Sequence, residues 1–142
     1  MAFDGISAAF TTIELVGLCH RSYHILKKYA EDVQGARDSL KEALNQLRLN
    51  QGLFRLLGEV LADVNGTGYE ELIDILALPL QKQKTKLGEL EELLTKATWK
   101  KEDHGLWRRI KWVHQKEDVD EMMRYLCEQE KEVRRFIDLV NT

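Results

Sequence analysis

The sequence predicts an all-α fold, an up-down bundle of four long helices with a short helix before the last one. Apolar residues recur every three or four positions in four long segments, which is the spacing of one helix face. No segment shows the apolar-polar alternation of a strand, and Pro79 is the only proline among 142 residues. Because proline interrupts helices, its scarcity favours long ones. The length and the 44% hydrophobic content fit one domain, residues 1–142, with a substantial core.

The first predicted helix covers residues 4–33, and the first nineteen residues of the chain hold only two charges, Asp4 and Glu14. Asp4 is the predicted N-cap. A helix that is apolar nearly all round belongs in a core or a membrane. This apolar stretch is shorter than the roughly 20 residues of a spanning helix, so we predict a core helix, with a conditional membrane inserter as the alternative. The predicted inward residues are Ile6, Phe10, Ile13, Val16, Tyr23 and Leu26.

The second and third predicted helices carry clearer leucine stripes. The second covers residues 36–64, and its predicted buried residues are Leu40, Leu44, Leu47, Phe54, Leu57 and Leu61. The third covers residues 69–97, and its predicted buried residues are Leu72, Leu76, Leu80, Leu87, Leu90 and Leu94. Pro79 should kink or break this helix near Leu78, because it removes a backbone donor and clashes with the preceding turn. The polar segment 81–86 should be exposed.

The last quarter of the chain is predicted to form two helices. A polar link, KKEDHG, precedes a short helix over residues 106–114. A long helix then covers residues 116–140. Its predicted buried residues are Val119, Met122, Leu126, Val133, Phe136, Ile137 and Val140.

The sequence contains few residues arranged for catalysis or cofactor binding. Gly66-Thr67-Gly68 lacks the lysine of a phosphate-binding loop, and the serines lack the strand-turn-helix context of a nucleophile elbow. We therefore predict no enzyme, no cofactor and no metal. A net charge of −3 indicates no nucleic-acid partner.

Two histidines and two cysteines are further candidates for metal ligation or for a disulfide. His20 and His24 share a helix face, but no third ligand lies nearby in sequence, so we interpret them as part of a polar face. Cys19 and Cys127 are predicted to be two buried free thiols in a reducing compartment, with one disulfide as the alternative.

The stretch from residue 99 to residue 116 combines aromatic and basic side chains. It holds all three tryptophans and six basic residues against two acidic ones. Such a combination suits the interface of an anionic membrane. For the tryptophans we favour a second interpretation, in which Trp107, Ile110 and Trp112 plug one end of the bundle while the cations remain in water. The predicted basic and aromatic patch comprises Trp107, Arg108, Arg109, Lys111 and Trp112.

Two segments resemble a known family. The opening GISAAFTTIELVGLCHRSYHILKKY and the later WRRIKWVHQKEDVDEMMRYLCEQEKEV are similar to the N-terminal domains of fungal NLR-like (STAND) proteins, a group that includes HeLo, HeLo-like and SesA-type domains. The segment ARDSLKEALNQLRLNQGLFRLLGEVL matches the second helix of that family in character. The resemblance implies a helical bundle at the N-terminus of a larger immune or incompatibility receptor. It also implies that the N-terminal helix, residues 2–19, is released toward the membrane after oligomerisation.

The leading functional prediction is therefore an effector domain for regulated cell death in innate immunity. Its membrane-targeting residues would be Phe3, Ile6, Phe10, Ile13, Glu14, Val16 and Gly17. The expected partners are other copies of the chain on activation, anionic membrane, and signalling proteins or the rest of the receptor. The expected location is the cytoplasm, with the plasma membrane on activation. The alternative is a soluble adaptor that acts only through protein contacts. The burial of Glu14 should discriminate between the two, since a carboxylate paired inside the bundle would anchor the helix as core.

Overall fold

The structure, a computed structural model, describes four α-helices and no strand over residues 5–32, 36–64, 68–98 and 105–141, with side chains over 7–31, 40–64, 68–95 and 117–140. Helix α1 is Gly5–Asp32, α2 is Ala36–Val64, α3 is Glu70–Thr98 and α4 is Gly105–Asn141. The predicted all-α class with four long helices is confirmed. The proposed N-cap Asp4 lies outside the described residues.

Neither of the two predicted interruptions divides a helix. The short helix over residues 106–114 is not separate, because α4 continues through this region to Asn141. No glycine or proline lies between residues 106 and 140 to end the helix. Pro79 lies inside α3 and does not end it. Leu76 and Leu80 are buried on either side of Pro79, so tertiary packing holds both turns in the helix despite the lost backbone donor.

Contacts between pairs of side chains fix the direction of neighbouring helices. Helix α1 packs against α2 and α3, and α4 packs against the same two helices. Glu14 pairs with Lys84, and Arg21 pairs with Glu91 seven residues further along each helix, so α1 and α3 run parallel.

Helix α4 runs antiparallel to α3. Gln83 donates a hydrogen bond to Gln129, whereas the Lys86 ammonium lies over the ring of Tyr125. A rising residue number in α3 is thus matched by a falling one in α4. Gln83 is buried, although the segment 81–86 was predicted to be exposed; its amide nitrogen donates to the side-chain oxygen of Gln129.

The core consists largely of the predicted stripes of α2, α3 and α4. Every residue predicted to face inward on these helices is buried or half-buried. A polar contact crosses the core between α2 and α4, where the side-chain amide of Asn50 donates to the carbonyl oxygen of Leu126 at 3.3 Å. Gln46 reaches from the same helix to the carboxylate of Glu130 at 3.4 Å. These hydrogen bonds satisfy polar groups that burial would otherwise leave costly.

Helix α1 buries a different face from the predicted one. Phe10 and Ile13 are 62% and 65% exposed, so their placement in the core is wrong. The predicted Val16 and Tyr23 are half-buried, and only Leu26 is fully enclosed. The buried residues of α1 are Ala8, Thr11, Thr12, Leu15, Leu18, Cys19, Ser22, Leu26, Tyr29 and Ala30.

Small residues bring α1 and α2 close together at Gly58. A Cβ added to Gly58 would lie 2.5 Å from Oγ1 of Thr12 and 4.0 Å from the carbonyl oxygen of Ala9. The Thr12 hydroxyl is itself held, because it donates to the Ala9 carbonyl at 2.6 Å. Neither helix can therefore carry a larger side chain at this point without moving apart.

We expect Gly58→Ala to destabilise the bundle although alanine favours helices. The propensity gain of about 1 kcal/mol is outweighed by overpacking against Thr12, which typically costs about 1–3 kcal/mol. Gly88→Ala is the matched control, because an added Cβ there meets nothing within 4 Å. Chemical denaturation should rank the stabilities Gly88→Ala above wild type and wild type above Gly58→Ala. Equal stabilisation by both substitutions would contradict a close approach at Gly58.

Candidate interaction surface on helix α1

The outer face of α1 exposes two large apolar side chains, Phe10 and Ile13. They lie one helical turn apart on the same side of α1. Glu14, the next residue, is half-exposed. Together these three residues, all predicted as part of a membrane-targeting segment, form what we call the outer face of α1. Exposure of such side chains favours contact with another apolar phase, because removing apolar surface from water lowers the free energy of the system.

Glu14 lies on the surface and is paired with Lys84. It is therefore neither a carboxylate paired inside the bundle nor an exposed carboxylate without a partner. Its carboxylate contacts the ammonium of Lys84 on α3, and both side chains remain about half-exposed. An exposed ion pair of this kind contributes about 0–1 kcal/mol and is screened by salt. Glu14 thus ties α1 to α3 only weakly, and the main attachment of α1 is its buried face.

A groove of about 490 Å³ runs beside Ile13 between α1 and α2. Ala9, Thr12 and Val16 form its α1 wall. The α2 wall includes Phe54 and Gly58. Its walls are mostly apolar, with Arg55 and Glu59 as the charged residues that line it. The outer face of α1 therefore continues into a concave apolar surface.

The remaining predicted targeting residues fall into two groups. Gly17 is half-buried, and a Cβ added there would lie 3.2 Å from a guanidinium nitrogen of Arg21. This glycine leaves room for Arg21 to reach Glu91 at 2.9 Å. Phe3 and the side chain of Ile6 lie outside the described residues.

The predicted basic and aromatic patch falls on α4, and its side chains lie outside those that the structure describes. The structure places the backbone of all five patch residues in α4: Trp107, Arg108, Arg109, Lys111 and Trp112. Their contribution to a membrane surface stays a prediction.

The structure describes the side chains of His20, His24, Cys19 and Cys127, the histidines and cysteines that the sequence offers as ligands or disulfide partners. The rings of His20 and His24 are in edge contact, with centroids 4.4 Å apart. No group of three metal-ligating side chains occurs over the part of the chain that the structure describes. Cys19 is buried, and burial raises the pKa of its thiol to about 12, which makes it a poor nucleophile. Cys127 is exposed, so its predicted burial is wrong; both thiols are free.

The sequence signal for the true buried face of α1 was present but weak. Ala8, Leu15, Ser22 and Leu26 lie on one side of the helix, yet two of these four are small or polar. A pattern that ranks residues by size assigns Phe10 and Ile13 to the core instead. Close packing reverses that ranking, because small residues are what lets α1 approach α2.

None of the described helices is both long enough and apolar enough to cross a membrane. No protein-family model matches the chain, and no curated protein or solved structure is similar to it at the level that we required.

Proposed function

We propose that the chain is a non-enzymatic effector or signalling bundle that attaches to anionic membrane through the outer face of α1. The observation that carries the proposal is the exposure of Phe10 and Ile13 next to an apolar groove, in a helix whose other face is buried. The attachment is interfacial rather than spanning. An apolar face lies in the headgroup region while charged residues stay in water.

The resemblance to fungal NLR-like proteins gives this surface a biological setting. We propose that the chain is the N-terminal domain of such a receptor, with an up-down helical order, and that it mediates regulated cell death at the plasma membrane. Self-association on activation would gather several α1 surfaces. Weak surfaces gain strongly from such clustering, because each further contact becomes intramolecular. At rest the domain would remain in the cytoplasm.

Removing the two exposed apolar side chains should abolish most membrane binding. Each side chain buried from water contributes about 1.5–3 kcal/mol, so Phe10→Ser with Ile13→Ser should weaken binding at least about a hundredfold. Co-sedimentation with phosphatidylserine-containing vesicles measures the effect. The clustered form, fused to a trimerising coiled coil, should be used because a single copy binds weakly.

The chain offers a matched control for this experiment. Ile75 and Leu78 on α3 are 69% and 64% exposed and are also three residues apart. Ile75→Ser with Leu78→Ser removes the same amount of exposed apolar surface from another helix, and it should leave vesicle binding unchanged. Equal losses in both variants would show that α1 has no special role in binding.

The second candidate function is a soluble adaptor. The buried face of α1 favours it, because Leu15 and Cys19 are fully enclosed and hold the helix in the bundle. The exposed ion pairs of Glu14 with Lys84 and of Arg21 with Glu91 add only weak contacts to α3. An adaptor would not bind vesicles even when clustered. Absence of vesicle binding by the trimerised wild-type chain would therefore favour the adaptor function over membrane attachment.

A further inference from the structure

Basic side chains of α1 and α2 face each other across a cleft of about 330 Å³. His20, His24 and Lys27 line it from α1, and Arg48 and Arg55 line it from α2. No carboxylate lines the cleft. This basic cleft lies further along α1 than the apolar outer face and on the side of α2.

The charges of the basic cleft differ from those on the other flank of α1. Toward α3, opposite charges meet, as in the Arg21–Glu91 pair. Toward α2, three cations line the same cleft, and none of Lys27, Arg48 and Arg55 forms an ion pair with a carboxylate among the side chains that the structure describes. Like charges at close range repel each other and create a positive potential that an anion would neutralise. In a chain of net charge −3, this concentration of cations stands out.

The groups of the basic cleft are oriented by one another. The guanidinium of Arg48 lies 5.0 Å from the centre of the Tyr23 ring, a cation–π arrangement that holds a planar cation in place. Tyr23 also contacts the edge of His24, whose ring meets that of His20. Donors that are already positioned bind a ligand with less loss of conformational freedom.

Gly52 opens the wall of the basic cleft on α2. It lies in the middle of a helix, where glycine is unfavourable. A Cβ added to it would meet nothing within 4 Å, so helix packing does not require glycine here. Because Gly52 has no side chain, the cleft is open between Arg48 and Arg55.

From these observations we infer that the basic cleft between α1 and α2 binds a phosphate group. Guanidinium groups match the oxygens of phosphate with paired, charge-assisted hydrogen bonds. Lys27 adds a point charge, and imidazole nitrogens donate further hydrogen bonds. The phosphate belongs either to a small soluble polyphosphate or to a lipid headgroup, and the chemistry of the cleft is the same for both. The basic cleft shares Arg55 with the wall of the apolar groove, but neither Phe10 nor Ile13 lines it, so it can be tested separately from the proposed function.

Tripolyphosphate tests the site by titration calorimetry. We expect binding by the wild-type chain and a loss of about tenfold or more, equivalent to one strong charged hydrogen bond, in Arg48→Gln with Arg55→Gln. The charge-matched control is Lys82→Gln with Arg124→Gln, which removes two exposed cations from α3 and α4 and should bind as wild type does. Phe10→Ser with Ile13→Ser should also retain binding, which separates this site from the apolar surface.

A second variant fills the cleft without changing its charge. Gly52→Leu should raise the melting temperature, because leucine favours helices, and should still weaken tripolyphosphate binding. Loss of binding in a more stable protein cannot come from misfolding. Unchanged binding by Gly52→Leu, or an equal loss in the two charge variants, would overturn the proposal.

Vesicles identify the source of the phosphate. Phosphatidic acid exposes a terminal phosphate group, whereas phosphatidylserine presents negative charge without one. A preference for phosphatidic acid that disappears in Arg48→Gln with Arg55→Gln supports a lipid headgroup. Binding of tripolyphosphate with no such preference supports a soluble ligand. The proposal is wrong if tripolyphosphate does not bind and the two lipids bind equally.

Discussion

Leu47→Asp should unfold the bundle or leave it only marginally stable. Leu47 is fully buried in the middle of α2, in the stripe that faces the other helices. Replacing a buried leucine by a small residue costs about 2–5 kcal/mol, and enclosing an unpaired carboxylate adds several kcal/mol more. Because a domain of this kind is stable by about 5–15 kcal/mol in total, one substitution removes a large part of the free energy of unfolding.

Leu49→Asp is the matched control for Leu47→Asp. It makes the same change two residues later in the same helix, at a leucine that is 41% exposed. The intrinsic helix cost of aspartate is similar at both positions, so the difference between the two variants reports burial alone. Thermal melts should show a decrease of about 15 °C or more for Leu47→Asp, since each kcal/mol lowers the melting temperature by about 4 °C at this length. Similar melts for the two variants would mean that this face of α2 is not the core.

The sequence predicted α2 well because most of its large apolar residues lie on one side, with Leu49 and Leu56 as exposed exceptions. Leu47 and Leu57 are enclosed, whereas the charged residues between them reach water. One helix period therefore fits the pattern, and no other face competes with it. The same reasoning held for α3 and for the second half of α4.

Helix α1 shows where this reasoning fails. Its first half is apolar on nearly every side, so periodicity cannot choose between the face of Phe10 and Ile13 and the face of Ala8 and Leu15. The choice depends on the partner, because Gly58 on α2 admits only a small side chain. That constraint joins residues about fifty positions apart and is invisible in a local window. The basic cleft was missed for the same reason, since Lys27 comes from α1 whereas Arg48 and Arg55 come from α2.

The exposure of Phe10 and Ile13 bears on whether α1 must leave the bundle to reach a membrane. If Phe10 and Ile13 already lie in water, contact with a membrane does not require α1 to leave the bundle. Deeper insertion does require α1 to leave the bundle, because Leu15 and Cys19 are fully enclosed. Contact and release are thus separate steps, and they are distinguished by whether the buried face of α1 becomes accessible.

Cys19 should report directly on the release of α1. In the folded bundle its thiol is enclosed and burial raises its pKa to about 12, so at pH 8 the thiolate is about one part in ten thousand of the total. A maleimide should therefore modify Cys19 at least about a thousandfold more slowly than an exposed thiol such as Cys127. In a Cys127→Ser background, mass spectrometry after a timed exposure follows Cys19 alone.

Clustering on vesicles should expose Cys19 if the helix is released. We expect the trimerised Cys127→Ser chain to be labelled much faster with anionic vesicles than without them, while the unclustered chain stays protected. A second reporter, Leu90→Cys with Cys19→Ser and Cys127→Ser, places the single thiol at an equally buried position on α3. Labelling of Cys19 but not of this α3 thiol means that α1 leaves a bundle that otherwise stays folded. Labelling of both indicates global unfolding. Protection of both during vesicle binding would refute release and leave α1 attached to the membrane by its outer face alone.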